Sequence, residues 1–384
     1  MLFCCVAMHL FSLSFFFAIL TNSLEEYEKS ALYHIDTHID PHALAESETR
    51  EAVVIIDPFS TGALLAADFA KAGYRIVAMY SANLETLVNV QSLVPQGLSL
   101  SFDAVIPYHD NLMVLQARLL GLENLKVVAV LAGAETGVEL ADQLSEKMKL
   151  RTNGTAHGDA RRNKYVMGET IRAAGLRAMK QVKATAVEHV EAFLAEWNPS
   201  PYKVIVKPMD SAGSDDVTLC SSREEVFAAF HYILGKVNGL GLVNKAVLVQ
   251  EYLDGPEYVI DTVSSGGVHK VVAVWEYDRR AVNGAGFVLF GQRLLTIDEP
   301  RVREMIEYQK KVITALGIRN GPTHGEVKWF QGEPVLVEVG ARCHGVEGVW
   351  QLIVDTVLGY NQVQGTIAAY FNHEKFDAIP DVVS

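Results

Sequence analysis

Residues 324–342 read HGEVKWFQGEPVLVEVGAR, two apolar stretches joined by a Gln-Gly-Glu-Pro turn. This pattern predicts two antiparallel strands in which Glu326 and Glu338 face one another on one side of a hairpin. A carboxylate in an apolar strand is costly unless it has a partner. Arg342 supplies that partner in one interpretation, as a buried ion pair. In the interpretation that we favour, the two carboxylates hold a divalent cation, since Mg²⁺ prefers hard oxygen ligands.

Strands and helices alternate in the first part of the chain. The apolar, β-branched residues 52–56 predict a buried parallel strand, and a helix at residues 63–72 and a strand at residues 74–80 complete a right-handed βαβ unit. The alternation continues with strands at residues 103–107 and 127–131 and helices at residues 111–120 and 133–150. Residues 51–150 are therefore predicted to form an N-terminal α/β domain.

Strands dominate after residue 200. One helix is expected to start near Ala160 and stop at Gly175, and another, capped near Thr185, covers residues 187–196. Strands are predicted at residues 204–207, 247–251, 258–263, 271–275, 325–329 and 335–339, and helices at residues 223–234, 301–316 and 349–358. This mixture predicts an α+β region of two lobes over residues 151–372, followed by a tail at residues 373–384.

The N-terminus has a different character. Residues 2–20 carry no charged side chain, and residues 25–50 are polar and irregular, as in a linker. Two interpretations of residues 1–24 stay open, a signal or anchor segment and a mis-started reading frame. Contact with a membrane is expected only if residues 1–20 are a retained anchor.

Charge and cysteine content exclude several classes of protein. The chain has 384 residues and a net charge of -13, which argues against a nucleic-acid partner. Its 4 cysteines contain no CxxC pair, so a disulfide framework or a zinc site is not expected. A reducing compartment fits this usage.

A loop rich in small residues follows a predicted strand at residues 207–214 (KPMDSAGS). Small residues such as Ser211, Gly213 and Ser214 let backbone N–H groups approach phosphate oxygens, and Lys207 supplies a point charge. The chain contains no GxxxxGK[ST] loop. A plain turn is the alternative explanation.

A strand enters a polar hinge at residues 249–257 (VQEYLDGPE). Backbone groups beside Glu251 and Leu253 are suited to the edge of an adenine, and Glu257 is suited to ribose hydroxyls. A strand followed by an ordinary turn remains the alternative.

Lys164 lies in a basic run near a helix start, which by itself is typical of a solvated face.

The order of these segments resembles the ATP-grasp superfamily over residues 52–372. The nearest likeness is to its amino-acid ligase branch, the carnosine-synthase-like and dipeptide ligases. It rests on residues 133–142 (GAETGVELAD), 207–216 (KPMDSAGSDD) and 335–345 (VLVEVGARCHG).

The resemblance implies an ATP-grasp fold of two lobes behind a Rossmann-like N-terminal domain. It implies an ATP- and Mg²⁺- (or Mn²⁺-) dependent ligase that joins a small carboxylic or amino acid to an amino acid through an acyl phosphate, releasing ADP and phosphate. The implied site consists of Lys164, Lys207, Ser211, Gly213 and Ser214 at the phosphates, Glu251, Leu253 and Glu257 at the nucleoside, Glu326 and Glu338 at the metal, and Arg342 at the acyl phosphate and the oxyanion.

Other features are less specific. Residues 283–286 (NGAG), flanked by Arg279, Arg280 and Arg293, are a candidate closing loop. His324, His344 and Trp350 either line the substrate pocket or pack in the core. Two departures from the family stand out: Gly340 where an Asn is common, and a chain that stops soon after residue 372.

Two other functions were weighed against the ligase. They are an ATP-binding protein that has lost catalysis, and an ATP-grasp carboxylase of the biotin type, for which no Met-Lys in a plausible hairpin is found. The expected partners are small-molecule carboxylates and amines. Oligomeric state is left open, with a homodimer among the arrangements considered. A cytoplasmic location is expected, or the secretory pathway or an organelle if the apolar N-terminus is a targeting segment.

Overall fold

The computed structural model describes residues 49–84, 87, 98, 100–209, 211, 215–239, 241–282 and 285–380. The predicted apolar segment and nearly all of the linker lie outside the described residues. Within the part that is described, no helix combines the length and the apolar character that crossing a membrane requires.

A parallel sheet comes first, as expected. Its strands lie in the order β3-β2-β1-β4 and pair in parallel throughout. They are β1 (Arg50–Ile56), β2 (Arg75–Met79), β3 (Ala104–Ile106) and β4 (Leu125–Ala132), accompanied by α1 (Thr61–Lys71), α2 (Leu112–Leu120) and α3 (Val138–Lys147). Burial of the β-branched residues of β1 explains why this run forms a central strand.

A second, antiparallel sheet has the order β5-β8-β6-β7. Its strands are β5 (Gln181–Ala184), β6 (Val204–Pro208), β7 (Thr218–Cys220) and β8 (Val247–Glu251), with α4 (Lys164–Ala173), α5 (Val187–Trp197) and α6 (Arg223–Ile233). The short strands β5 and β7 were not predicted. The expected cap near Thr185 is wrong: Ala186 precedes α5, without a capping side chain.

The third sheet is antiparallel and has the order β11-β10-β9-β12-β13. Its strands are β9 (Glu257–Ser265), β10 (Val268–Val282), β11 (Ala285–Leu294), β12 (Gly321–Phe330) and β13 (Glu333–Gly340). The helices that follow or intervene are α7 (Val302–Ala315), α8 (Trp350–Leu358), α9 (Gln362–Phe371) and α10 (His373–Ala378). The full length of β10, and the elements β11, α9 and α10, were not predicted.

The three sheets together confirm the predicted α/β and α+β fold class. The parallel sheet lies within the region expected to form the N-terminal domain, and the two antiparallel sheets lie within residues 151–372. One apolar cluster joins Val53 and Phe69 of the first sheet layer to Trp275 and Trp350 of the third. The domain boundaries themselves stay a prediction.

Candidate active site

Glu326 and Glu338 are direct cross-strand partners in the β12–β13 hairpin, as the sequence pattern predicts. Each carboxylate already has cations nearby. Lys164 Nζ lies 2.9 Å from Glu338 Oε1, and Arg279 Nη2 lies 3.6 Å from Glu326 Oε1. Burial alone would raise the pKa of Glu326, but His324 (Nε2 at 3.4 Å) and Arg279 outweigh it and hold that pKa at about 2. Glu326 is therefore an anionic oxygen donor at neutral pH.

Two lysines converge on this pair from the second sheet and its helix. Lys164 begins α4, and its ammonium donates to the carbonyl oxygen of Ser211 (2.8 Å) as well as to Glu338. Lys207 lies near the end of β6 and is buried. Burial and the neighbouring Lys164 lower the pKa of Lys207 to about 8, although Glu338 and Glu326 raise it. An anion placed between these ammonium groups would be strongly favoured.

The loop after Lys207 is described only in part. Ser211 is within the described residues, and its hydroxyl donates to Asp215 Oδ2 (2.6 Å). Gly213 and Ser214 lie outside the described residues, as do two residues of the candidate closing loop, Asn283 and Gly284.

The hinge turns Glu251 away from the lysines. Residues Val204 and Glu251 are cross-strand partners, as are Lys207 and Leu248. Because side chains alternate along a strand, the Glu251 carboxylate lies on the opposite face from Lys207. There the carboxylate accepts hydrogen bonds from Arg177 Nη2 at 2.9 Å. A ligand on the face that carries Lys207 can therefore contact only the backbone of Glu251.

Gln250, the partner of Ile205, shares the face of Lys207 and was missed by the sequence analysis. The alternation of side chains along β8 was the signal that identifies it. Leu253 is buried against Met179 and Val335.

Glu257 of β9 and Arg279 of β10 form an ion pair in the third sheet, in which Glu257 is buried. Arg279 Nε lies 2.6 Å from Glu257 Oε1. Burial raises the pKa of Glu257, and the nearby Glu326 raises it further. The other two arginines suggested by the sequence do not join them: Arg280 pairs with Asp278, and Arg293 pairs with glutamates near it.

Arg342 forms an ion pair with Glu135, which lies within the first 150 residues of the chain. Glu135, in a short 3-10 turn (Glu135–Gly137), receives Arg342 Nε at 3.0 Å and Arg162 Nη1 at 2.5 Å. Burial would raise the pKa of Glu135, yet the two guanidinium groups and Lys164 lower it. A Cβ on Gly340 would lie 2.8 Å from Glu135 Oε2, so this glycine makes room for the carboxylate. Glu135 lies in residues 133–142, one of the segments that carry the family resemblance, but its place in the site was not predicted.

A buried polar cluster lies beside Glu326. Asp261 accepts from Nδ1 of His344 (2.8 Å) and contacts Nδ1 of His324 (3.1 Å), and it also accepts from Trp275 Nε1 (2.8 Å). The His344 carbonyl accepts from Trp350 Nε1 at 3.1 Å. His324 and His344 thus belong to one network next to Glu326, and Trp350 supports it from α8.

Comparisons with known proteins agree with this arrangement. Residues 200–349 match the model of the ATP-grasp domain family. Dapdiamide A synthase of Enterobacter agglomerans is 31% identical over 329 residues, which are 85% of this chain and 75% of the relative. Alanine–anticapsin ligase of Bacillus subtilis is 28% identical over 240 residues, 57% of this chain and 48% of the relative.

Solved structures share the fold. An L-amino acid ligase from Bacillus licheniformis superposes with a TM-score of 0.65 at 18% identity, covering 87% of this chain and 78% of that one. The ADP complex of N5-carboxyaminoimidazole synthetase from Staphylococcus aureus gives 0.62 at 14% identity, covering 88% and 80%.

The chain therefore belongs to the ATP-grasp family, in its branch of amino-acid ligases. It is an ATP-dependent ligase that joins a carboxylate to an amine as an amide, and enzymes of this family use ATP together with a divalent metal.

Proposed function

We propose that this ligase phosphorylates the carboxylate of a small carboxylic or amino acid with ATP, and that the amine of an amino acid then attacks the acyl phosphate. ADP and phosphate are released. The observation that carries the proposal is that five charged side chains lie close together. They are two carboxylates of the third sheet, two lysines from the second sheet and its helix, and Arg342. The names of the relatives, two amino-acid ligases and a dapdiamide synthase, support an amino acid as one substrate.

Glu326 and Glu338 would hold Mg²⁺, or Mn²⁺ in its place. The donor set fits, because the two groups are carboxylates paired across neighbouring strands, and each lies beside a cationic side chain. When bound, the ion would screen the charge of the β- and γ-phosphates.

Lys164 and Lys207 would bind the phosphates from the side opposite the carboxylates. A buried ammonium gains more from an anion than an exposed one does, because solvent screens it less. Ser211, Gly213 and Ser214 would cover the phosphates through backbone N–H groups and so exclude water from the acyl phosphate.

The nucleoside would lie along the hinge. The backbone of Glu251 and Leu253 and the side chain of Gln250 would bind adenine, and Glu257 would accept hydrogen bonds from the ribose hydroxyls. Glu257 is held in place for this by Arg279.

Arg342 would act on the reacting group itself. Attack by the amine develops negative charge on the acyl oxygen, and a fixed guanidinium stabilises it by about 3 kcal/mol. Glu135 and Cys343 fix Arg342, since the Glu135 carboxylate receives its Nε and the Cys343 carbonyl accepts from its Nη1 at 3.0 Å. The site would thus combine residues 51–150, as an N-terminal domain, with residues 151–372, as the ATP-grasp domain. We also propose a cytoplasmic location, which suits an ATP consumer with free Cys220 and Cys343.

Trapping with hydroxylamine tests this proposal. Hydroxylamine converts an acyl phosphate to a stable hydroxamate, so hydroxamate and ADP should form when ATP, Mg²⁺ and the acid substrate are present. Chelation of the metal should stop the reaction, and Glu326→Gln or Glu338→Gln should slow it by about 10²-fold or more. Glu333→Gln is the matched control, because this glutamate lies in the same hairpin but is half exposed and pairs with Arg177. Hydroxamate formed at the normal rate by both site variants would refute the metal assignment.

A further inference from the structure

Three polar side chains form a hydrogen-bonded chain that the proposed function does not use. The Tyr277 hydroxyl lies 2.9 Å from His344 Nε2, and His344 Nδ1 lies 2.8 Å from Asp261 Oδ2. All three residues are buried, and Asp261 and His344 are fully so. Each nitrogen of the imidazole thus has one partner.

The partners fix the tautomer of His344. Asp261 is an acceptor only: burial would raise its pKa, but the His344 and His324 rings hydrogen-bonded to it hold that pKa well below the usual range. Nδ1 of His344 therefore carries the proton, and Nε2 is left to accept from the Tyr277 hydroxyl. Burial lowers the pKa of His344, so the ring is neutral in the resting protein, and Asp261 offsets part of that effect.

The backbone of His344 is fixed as firmly as its ring. Its N–H donates to Gln362 Oε1 (2.7 Å), and its carbonyl accepts from the Thr61 hydroxyl (2.5 Å). The ring stacks on Trp350, with centroids 5.4 Å apart. These contacts hold His344 Nε2 in one orientation toward Tyr277.

Tyr277 faces the proposed site. In the paired strands β10, β9 and β12, Tyr277, Asp261 and Glu326 lie on one face of the third sheet. The Arg279 guanidinium lies 5.1 Å from the centre of the Tyr277 ring, and the His324 ring lies 6.4 Å from it. The Tyr277 ring therefore lies on the sheet face that carries Glu326, beside Arg279.

The reaction needs a proton acceptor that has not yet been assigned. An amine substrate arrives mainly as an ammonium ion and becomes nucleophilic only after it loses a proton. Lys164 and Arg342 are donors, and Glu326 and Glu338 are committed to cations. None of these four side chains is suited to remove that proton.

We propose that Tyr277 is the catalytic group that removes the proton from the attacking amine, with His344 as the final acceptor and Asp261 as the residue that orients it. The proton leaves the ammonium nitrogen for Tyr277 Oη as the phenolic proton passes to His344 Nε2, which becomes an imidazolium beside Asp261. The freed nitrogen lone pair forms the bond to the acyl carbon. The C–O bond to phosphate then breaks, phosphate leaves with the electron pair, and the second proton of the nitrogen passes to the departing phosphate. This inference rests on the proposed function and deepens it.

The electrostatic surroundings suit a relay better than a stable phenolate. Burial raises the pKa of Tyr277, and the Glu326 and Asp261 carboxylates raise it further, against the effect of nearby arginines. The phenol thus keeps a proton and passes one on only as it receives another. The charged or titratable groups around it are Asp261 and Glu257 of β9, Arg279 of β10, Glu326 and His324 of β12, and Arg342 and His344 after β13.

Comparing two nucleophiles tests the relay in the full-length protein. Hydroxylamine is a much weaker base than an amino acid and reaches the site uncharged, so it needs no relay. We expect Tyr277→Phe to form hydroxamate at the wild-type rate but amide with an amino acid at least about 10²-fold more slowly at neutral pH. The amide rate should recover as the pH rises and the amine loses its proton in solution, and His344→Gln should show the same selectivity.

The control is Tyr202→Phe, which removes another buried hydroxyl, one in the apolar cluster of the second sheet. It should leave both reactions unchanged. Equal slowing of hydroxamate and amide formation by Tyr277→Phe, or no slowing of either, would overturn the relay. Absence of hydroxamate with the wild-type protein would instead refute the acyl phosphate, and the relay would fall with it.

Discussion

Replacing Gly340 with Asn separates two explanations of the residue that departs from the family pattern. In one, this chain lacks a metal ligand, and Asn restores it. In the other, Gly340 is needed because the Glu135 carboxylate occupies the space. A Cβ at this position would lie 2.8 Å from Glu135 Oε2 and 3.0 Å from Arg342 Cζ. We therefore expect Gly340→Asn to damage the enzyme.

The size of the effect follows from these distances. Ordinary van der Waals contact begins near 3.4 Å, so the carboxylate must retreat by roughly 0.6 Å for a Cβ alone and further for an amide. Arg342 and Glu135, now 3.0 Å apart, are then forced apart. Their side chains are about one-fifth exposed, so loss of this ion pair should cost about 1 kcal/mol of unfolding free energy. Loss of the fixed Arg342 should lower kcat by about 10²-fold.

Urea unfolding and the Mg²⁺ dependence of kcat measure both effects. Gly340→Ala, which adds only the Cβ, should give a smaller loss of the same kind. A Gly340→Asn enzyme with undiminished kcat and tighter Mg²⁺ binding would refute the steric argument and support the missing-ligand explanation.

Two further predictions concern buried charges. Arg161 is fully buried with Asp142 at 2.9 Å, so Arg161→Met should lower the unfolding free energy by about 3 kcal/mol near neutral pH, as measured by urea unfolding. The deficit should shrink toward pH 5, because burial raises the pKa of Asp142 to about 6 and a protonated Asp142 carries no unpaired charge. Adding Asp142→Leu to the Arg161→Met chain should recover most of the lost unfolding free energy. An equal loss at both pH values would contradict this. The pKa of Lys207 is lowered to about 8, and bound phosphates should raise it, so ATP binding should be accompanied by proton uptake. Calorimetry in buffers of different ionisation enthalpy should detect this uptake near pH 8.5. We expect little uptake near pH 6.5 and none in Lys207→Met. Uptake that is independent of pH or of Lys207 would refute the assignment.

Local pattern was enough to predict the central hairpin. The alternation on either side of a Gly-containing turn predicts β12 and β13, and with them the pairing of Glu326 and Glu338. The first parallel sheet was predicted for a similar reason, since its β-branched strands are apolar without interruption. By contrast, β5 contains Gln181 and Lys183, and the charged end of β10 is stabilised by pairing with β11, which no local pattern reveals.

Contacts between distant segments were beyond the sequence. Glu135 lies 207 residues before Arg342, and Tyr277 lies 67 residues before His344, so spacing gives no indication that either pair meets. The face of the second sheet on which the Glu251 side chain lies also depends on the register between β6 and β8. These contacts required the assembled sheets.

Incubation with ATP, Mg²⁺ and a pool of free amino acids tests the central claim most directly. ADP, AMP, phosphate and product masses would be followed, with Glu338→Ala as the site variant. We predict amino-acid-dependent release of ADP and phosphate in equal amounts with an amide product, all lost in the variant. Release of AMP and pyrophosphate, or turnover that survives Glu338→Ala, would contradict a ligase that works through an acyl phosphate at this site.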